Sequence, residues 1–257
     1  MNGAFYVGAT GLSAQQRALD VVANNIANIN TPGYKRTQAR FSELVSPLAR
    51  PDDPSADLAP GAAAMLGVSV DASPRDFTQG PLQVTGKAMD VAISGGGFIE
   101  LAGPSGQTVL WRGGTLQVNP DGYLAAANGM TLKAMISAPA GTTGLTIGED
   151  GKVTATVDGA AISRNIGQID VVQVKDVTTL SALDGGLYQV ANDRDLISSA
   201  PGEDGAGVLK QGVVEGSNVQ LTDEMVMLML MQRAYSANAE VVQAGDQLMG
   251  IANSLRR

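Results

Sequence analysis

The chain has 257 residues, enough for one sizeable core or a medium core with arms, and it carries a net charge of −8 with only 16% charged residues. A surface so poor in charge suggests that partners cover much of it, and the acidic balance argues against nucleic acid, whose binding needs clustered lysine and arginine. The absence of cysteine excludes disulfides and thiolate metal sites, and the absence of histidine excludes Ser-His-Asp catalysis and the commonest metal ligand.

Residues 1–36 predict an α-helix followed by a turn. Apolar residues recur at a period of 3.5, which keeps one stripe of a helix on a partner helix. Pro32 ends the helix because it lacks an N–H, and Pro32-Gly33 suits the centre of a type II turn. The stripe consists of Leu12, Leu19 and Ile26 in one row, and of Gln15, Val22 and Ile29 in the second, with one polar defect at Gln15.

Asparagines occupy positions 24, 25, 28 and 30, close to the end of this helix. Asparagine is a poor helix former, so they either lie on a solvated face that frays or make polar contacts that fix the stacking register. Lys35 and Arg36 follow, where they would complement the carbonyl-rich end of the helix.

Residues 37–67 predict an extended arm or linker, since prolines at 47, 51, 54 and 60 break regular structure. From residue 68 to about 200 the pattern predicts a central domain of many short strands, punctuated by Asp-Gly turns at 121, 150 and 158. Among the expected strands is Leu132–Ile136. Residues 201–217 then predict a loose return linker.

Residues 218–257 predict a second helix, which Ser217 and Gln220 would cap. It contains seven consecutive apolar residues, Met225–Met231, far fewer than the roughly 18 to 20 that span a bilayer. It is either buried within one domain or packed among identical subunits, where methionine fills irregular gaps. The predicted row at seven-residue spacing is Leu221, Leu228, Tyr235, Val242 and Met249, which Met225, Met229 and Ala239 widen.

Three blocks, taken in order, resemble the bacterial flagellar rod and hook family. The N-terminal block is Asn24–Arg36, with Thr-Pro-Gly-Tyr-Lys-Arg at its end. The central block comprises Phe77–Leu82, Met89–Ile93 and Gly95–Phe98, and the C-terminal block comprises Glu215–Val219, Glu224–Val226 and Gln232–Tyr235. The resemblance covers nearly the whole chain, and the stretch Thr146–Val153 and the chain length are most similar to the distal rod members of the family, with the proximal rod members next.

The resemblance implies an α+β fold, in which the N- and C-terminal α-helices pair as a coiled-coil layer beside the central all-β domain. It implies a structural subunit with no cofactor, which assembles with its own copies into a tubular drive shaft around an export channel. Its expected partners are neighbouring rod and hook proteins, the surrounding P-ring and L-ring, and the export apparatus during secretion.

The expected location is the rod that spans the periplasm, with no membrane insertion. The N-terminus has no basic residue before Arg17 and so lacks the charged region of a signal peptide, which alone predicts a cytoplasmic protein. The resemblance implies instead export through the flagellum's own type III channel, without cleavage.

The residues expected at the assembly interface come from both predicted helices and the turn. Each helical stripe is too narrow to stabilise a monomer, so we expect both termini to be largely disordered before assembly. The set is Leu12, Leu19, Val22, Ile26, Asn28, Ile29, Asn30, Pro32, Gly33, Tyr34, Leu221, Met225, Leu228, Gln232, Arg233, Tyr235, Val242 and Met249.

A secreted enzyme and a β-rich adhesin are the two alternatives to a structural subunit. A secreted enzyme would need a carboxylate pair such as Asp90 with Glu100, or Asp150 with Asp170, and the sequence offers no nucleophile elbow. A β-rich adhesin would explain the central domain but not the heptad pattern at both ends.

Overall fold

The computed structural model describes residues 2–45, 65–72, 75–157, 164–190 and 192–254. It has the predicted α+β arrangement, with one helix near each end and many short antiparallel strands between them. The helices are α1 (Asn2–Ala27) and α2 (Leu221–Ser254). The strands are β1 (Ala39–Val45), β2 (Met65–Ala72), β3 (Leu82–Val84), β4 (Asp90–Ser94), β5 (Ile99–Ala102), β6 (Thr108–Trp111), β7 (Gly113–Val118), β8 (Leu124–Ala126), β9 (Thr142–Ile147), β10 (Lys152–Val157), β11 (Arg164–Gln168), β12 (Val171–Val174), β13 (Ser181–Leu183), β14 (Leu187–Gln189), β15 (Leu196–Ser199), β16 (Val208–Gln211) and β17 (Val213–Glu215).

The chain divides into two compact units. Unit 1 contains residues 1–27, 37–73 and 220–257, and unit 2 contains residues 28–36 and 74–219. Unit 1 therefore holds both helices and the β1–β2 pair, and unit 2 holds the remaining strands together with the turn that follows α1.

In unit 1, α1 packs along α2 and also against β2. The strands β1 and β2 pair antiparallel, from Ala39 opposite Ala72 to Val45 opposite Met65. The sequence predicts an irregular arm here, whereas the structure has a regular strand on each side of the proline-rich stretch 46–64, which itself lies outside the described residues. β1 exposes Phe41 and Leu44, so its apolar side chains find little cover within the chain.

Unit 2 is built from small antiparallel sheets. One has the order β16-β4-β7-β8 and another β13-β14-β6-β5, and β9, β10 and β11 form a third sheet in the order β11-β10-β9. Two further pairs are β12 with β15 and β17 with β3. The strands of the return segment, β16 and β17, thus pair with β4 and β3 at the beginning of the unit.

The core of unit 2 is aliphatic, with Trp111 at one side. Ile93, Leu101, Leu124 and Leu209 are all essentially inaccessible to solvent. A second, smaller cluster is aromatic, where Phe77, Phe98 and Tyr188 meet edge to face with centroids 5.0–5.7 Å apart.

The turn chemistry follows the sequence closely. Gly33 has φ +69°, and the amide of Tyr34 donates to the carbonyl of Thr31 at 3.2 Å, which is the turn expected for Pro32-Gly33. Gly122 and Gly151 have φ of +83° and +80° in the turns before β8 and β10. The third Asp-Gly turn, at 158, lies outside the described residues.

The expected strand Leu132–Ile136 is wrong. The amide of Met135 donates to the carbonyl of Leu132 at 2.9 Å, and Met135 has φ +48°, so the chain turns where the apolar pattern predicts an extended run. Leu132 and Ile136 are buried nonetheless, and this burial accounts for their apolar character without a strand.

Neither α1 nor α2, over the residues that the structure describes, is long and apolar enough to cross a membrane.

Candidate assembly surfaces

The two terminal helices run antiparallel within unit 1. A Cβ at Gly8 would lie 2.7 Å from Cγ2 of Val242, a Cβ at Gly11 would lie 3.2 Å from Nδ2 of Asn238, and further along Asn25 reaches Glu224. The glycines therefore let the two backbones approach closely at the N-terminal end of α1.

The buried stripe of α1 lies one residue before the predicted rows, except at Val22, which is buried where the sequence predicts it. Its centre is a row of small side chains, while Leu12, Leu19 and Ile26 are only half-buried. The shift arises because α1 is contacted on two flanks, by α2 and by β2, so the stripe most protected from water lies between them. The buried residues are Gly11, Ala14, Ala18, Val22 and Asn25.

Asn25 is 1% exposed and fixes the register of the helix pair. Its Nδ2 donates to the Thr37 carbonyl at 2.7 Å and to Oε2 of Glu224 at 3.2 Å, and its Oδ1 accepts from the Thr37 amide at 3.1 Å. Asn25 therefore does not lie on a solvated face, whereas a role of the asparagines in the stacking register stays a prediction. Asn24 and Asn30 are exposed, and Asn28 is half-buried.

On α2, the row that faces α1 is spaced by three and four residues. It runs through Glu224, Leu228, Met231, Ala234, Asn238 and Val242. Leu221 and Tyr235, which the seven-residue spacing places in the same row, lie off it and are 42% and 40% exposed. Their part in contacts between copies stays a prediction.

The other side of α2 exposes a continuous apolar surface. Met225, Val226, Met229 and Leu230 are each more than half exposed, and positions i, i+1, i+4 and i+5 are neighbours on one helix face. We call these four residues the α2 patch. Exposed apolar surface of this kind marks a site of interaction with another protein. The patch ends at Gln232 and Arg233, which are also exposed.

The remaining expected interface residues follow α1 and lie in unit 2, except for Met249, whose side chain lies outside the described set. Pro32 is exposed and Ile29 half-buried, whereas Gly33 and Tyr34 are buried against their own chain. Their role in assembly stays a prediction.

A buried ion cluster holds this segment on unit 2. Oε1 of Glu215 accepts from Nζ of Lys35 at 2.6 Å and from the Gly80 amide at 2.9 Å, and its Oε2 accepts from Nε of Arg112 at 3.1 Å. The three side chains are at most 3% exposed. Arg112 also donates to the carbonyls of Gly97 and Gly95 at 2.6 and 2.9 Å, and so pins the glycine turn before β5.

The two cations decide the ionisation of Glu215. Burial alone would raise the pKa of Glu215, but Arg112 and Lys35 together outweigh it, so the pKa lies below its ordinary value. Burial lowers the pKa of Lys35, against the opposing pull of Glu215. A carboxylate with a depressed pKa beside two cations is a stable ionic arrangement near neutral pH.

Asn218, three residues after Glu215, also connects the segment after α1 with residues 76–78. Its Oδ1 accepts from the Arg36 amide at 2.7 Å, and its Nδ2 donates to the carbonyls of Asp76 and Thr78 at 2.8 and 3.1 Å. The segment after α1 and the segment before α2 are thus bound side by side. α2 itself begins at Leu221, later than predicted, and Oγ of Ser217 accepts from the Val219 amide at 3.2 Å instead of forming the expected capping box.

The sequence does not predict this cluster. It suggests that Lys35 complements the end of the preceding helix, whereas Lys35 is fully buried against Glu215 and the Thr78 carbonyl. The available signal was Glu215 and Lys35 themselves, since both are charged residues inside motifs of a chain that has few charges.

Three of the four carboxylates considered for catalysis, Asp90, Glu100 and Asp150, have structural partners. Asp90 accepts from the hydroxyls of Thr85 and Thr115 at 2.6 and 2.7 Å, while Glu100 pairs with Lys133 at 3.1 Å. Burial would raise the pKa of Asp90, but these two hydroxyls lower it below its ordinary value. Asp150 pairs with Lys152 in its own turn at 2.7 Å.

Comparison with known protein families gives three matches along the chain. Residues 5–35 match the family described as flagella basal body rod protein, and residues 92–155 match the flagellar hook protein FlgE/F/G D1 domain. Residues 210–255 match the C-terminal region of the flagellar basal body rod FlgEFG proteins.

Individual relatives align over nearly their whole length. The flagellar basal-body rod protein FlgG of Borreliella burgdorferi is 34% identical over 264 residues, covering 100% of both chains. FlgG of Agrobacterium fabrum is 35% identical over 97% of this chain and 98% of its own. The flagellar basal-body rod protein FlgF of Caulobacter vibrioides is 32% identical, over 96% of this chain and 95% of its own.

Proposed function

The chain belongs to the flagellar basal-body rod protein family, and from this premise we propose that it is a structural subunit of the distal rod. Its copies assemble through the paired terminal helices into a tube that transmits motor torque to the hook and encloses the export channel. The observation that carries this proposal is the α2 patch, an apolar surface on a helix whose opposite side already packs against α1.

The geometry supports a polymer rather than a closed dimer. The α2 patch and the exposed Phe41 and Leu44 of β1 are different surfaces of unit 1, so a copy that uses one surface leaves the other available. Contacts between unlike surfaces generate rings or open helical filaments, whereas a twofold dimer joins like surfaces. A rod subunit requires contacts between unlike surfaces.

The family resemblance extends the proposal to location and partners. The protein is part of the basal body and assembles with other rod and hook proteins. We further propose that it spans the periplasm within the P-ring and L-ring, that it leaves through the type III export apparatus without cleavage, and that it has no enzymatic activity.

A position in the proximal rod is the second candidate, because the FlgF relative aligns over nearly as much of the chain as the FlgG relatives. Gold labelling of the protein in isolated basal bodies discriminates between the two. Label at the hook side of the rod supports the distal position, and label near the inner membrane favours the proximal one.

Substitution of Leu19 tests the assembly role. Leu19→Asp places a charge in the half-buried row of α1, so we expect loss of incorporation into rods and loss of motility while unit 2 stays folded. Gln16→Asp changes an exposed position of the same helix and should leave motility intact. Normal motility of the Leu19→Asp strain would refute the assignment.

A further inference from the structure

The segment Gly33–Arg36 is bound chiefly by residues that come almost at the end of unit 2. The Gly33 amide donates to the Glu215 carbonyl at 2.8 Å, Lys35 binds the Glu215 carboxylate, and the Arg36 amide donates to Asn218. About 180 residues of chain separate the two partners of each of these bonds. During synthesis from the N-terminus, the chain cannot form the first two of these bonds until residue 215 has been made, or the third until residue 218 has been made.

The same late segment also fixes the middle of the unit. The Gly80 amide donates to the Glu215 side chain, and Gly80 passes so close to the Gly216 carbonyl that a Cβ has no room. β16 and β17 complete the pairing of β4 and β3. Before this segment arrives, Lys35 and Arg112 lack the buried carboxylate that both of them bind, and their like charges repel each other.

We propose that Glu215–Asn218 is a clasp that closes last, and that its closure docks Gly33–Arg36 and Gly80 in one cooperative step. The segment after α1 and the segment before α2 then become ordered at the same time. In a rod subunit, whose terminal helices must pair before it assembles, this step delays assembly until the chain is complete. The delay of assembly rests on the proposed function, whereas the clasp itself is a property of the purified chain.

Three backbone amides report directly on the clasp. Those of Gly33, Arg36 and Gly80 each donate to an atom of Glu215 or Asn218. Two amides in the same unit serve as references, because Leu124 donates to the Ile136 carbonyl and Ile169 donates to the Gly151 carbonyl, and neither pair contacts Glu215 or Asn218.

The experiment is amide hydrogen exchange on full-length wild type and two variants, at equilibrium and during refolding. In Glu215→Gln the clasp loses charge-assisted hydrogen bonds, so we expect exchange of the Gly33, Arg36 and Gly80 amides to rise at least about tenfold, with Leu124 and Ile169 unchanged. Glu100→Gln, which removes a more exposed ion pair of the same unit, should leave all five amides at wild-type rates.

Asn218→Ala leaves no buried charge without a partner, so it tests the clasp without the risk of misfolding that Glu215→Gln carries. It should accelerate exchange at Gly33, Arg36 and Gly80 together, with Leu124 and Ile169 unchanged, because the clasp opens as one unit. During wild-type refolding, the Gly33, Arg36 and Gly80 amides should become protected together, after Leu124. The clasp is overturned if Gly33 and Gly80 keep wild-type exchange in Glu215→Gln, if all five amides accelerate equally, or if Gly33 and Arg36 are protected before Gly80.

Discussion

Ionisation of Glu215 makes the stability of unit 2 decrease in acid. Its folded pKa lies below the ordinary value of 4.5. A depressed pKa means that the ionised group stabilises the fold above pH 4.5, and that this contribution disappears as the pH falls through the folded pKa. Asp90, whose pKa is also depressed, acts in the same direction.

We therefore expect acid to lower the unfolding temperature of wild type more than that of Glu215→Gln. The measurement is thermal unfolding followed by fluorescence of Trp111, the single tryptophan of the chain, which is buried in the core of unit 2. Comparing pH 7 with about pH 3 isolates the carboxylates, while the Asp90 contribution is common to both proteins. An equal loss in the two proteins would show that the ionised Glu215 contributes nothing.

Individual polar residues were the least predictable part of the chain. Asn24 and Asn25 are adjacent residues of the same type, yet Asn25 is buried against Thr37 and Glu224, whereas Asn24 is exposed. Sequence periodicity assigns residues to helix faces but does not show where a second flank, here β2, will cover the helix. Likewise, the partners of Lys35 lie far away in the sequence, so no local pattern could reveal the ion cluster.

At the scale of elements, the helix pair depends on close contact at Gly8. Gly8→Ala puts a methyl group against Cγ2 of Val242, a stiff β-branched side chain, so we expect the helix pair to melt at a lower temperature, although alanine is the better helix former. Circular dichroism at 222 nm, measured on assembled tubes, follows this transition.

Gly245→Ala provides the matched control, because a Cβ there meets no atom within 4 Å. Relief of the glycine penalty should stabilise α2 by about 0.5–1 kcal/mol. Equal stabilisation by both alanines would mean that the approach of α1 and α2 at Gly8 is not a tight contact.

Element types were predictable because period and turn chemistry agree. The heptad spacing predicts both helices, and the Asp-Gly pairs at 121 and 150 mark real turns. The predicted rows of α1 were off by one residue except at Val22, since the small Gly11, Ala14 and Ala18 are buried and the leucines beside them are only half-buried.

For the whole molecule, the α2 patch should be required for assembly but not for the monomer. Met229→Asp changes a side chain that is 51% exposed, so the free energy of unfolding of the monomer should stay within about 0.5 kcal/mol of wild type. In a polymer the same aspartate would be buried without a partner charge, which opposes assembly strongly.

Sedimentation of purified protein over a range of concentrations measures this effect. Wild type should form pelletable tubes and Met229→Asp should remain in the supernatant, while Gln243→Asp, at an exposed polar position of the same helix, should behave as wild type. If Met229→Asp formed tubes, the α2 patch would not be part of the interface between copies.

Amide hydrogen exchange of residues 12–29 and 221–251, compared between free protein and assembled tubes, tests the central claim most directly. The buried stripe of α1 is narrow and consists of small side chains, so we expect fast exchange of both helices in the free protein. In the tube, neighbouring copies cover the α2 patch and the half-buried leucines, and exchange should become slow. Strong protection of both helices in the free protein, unchanged on assembly, would contradict the account.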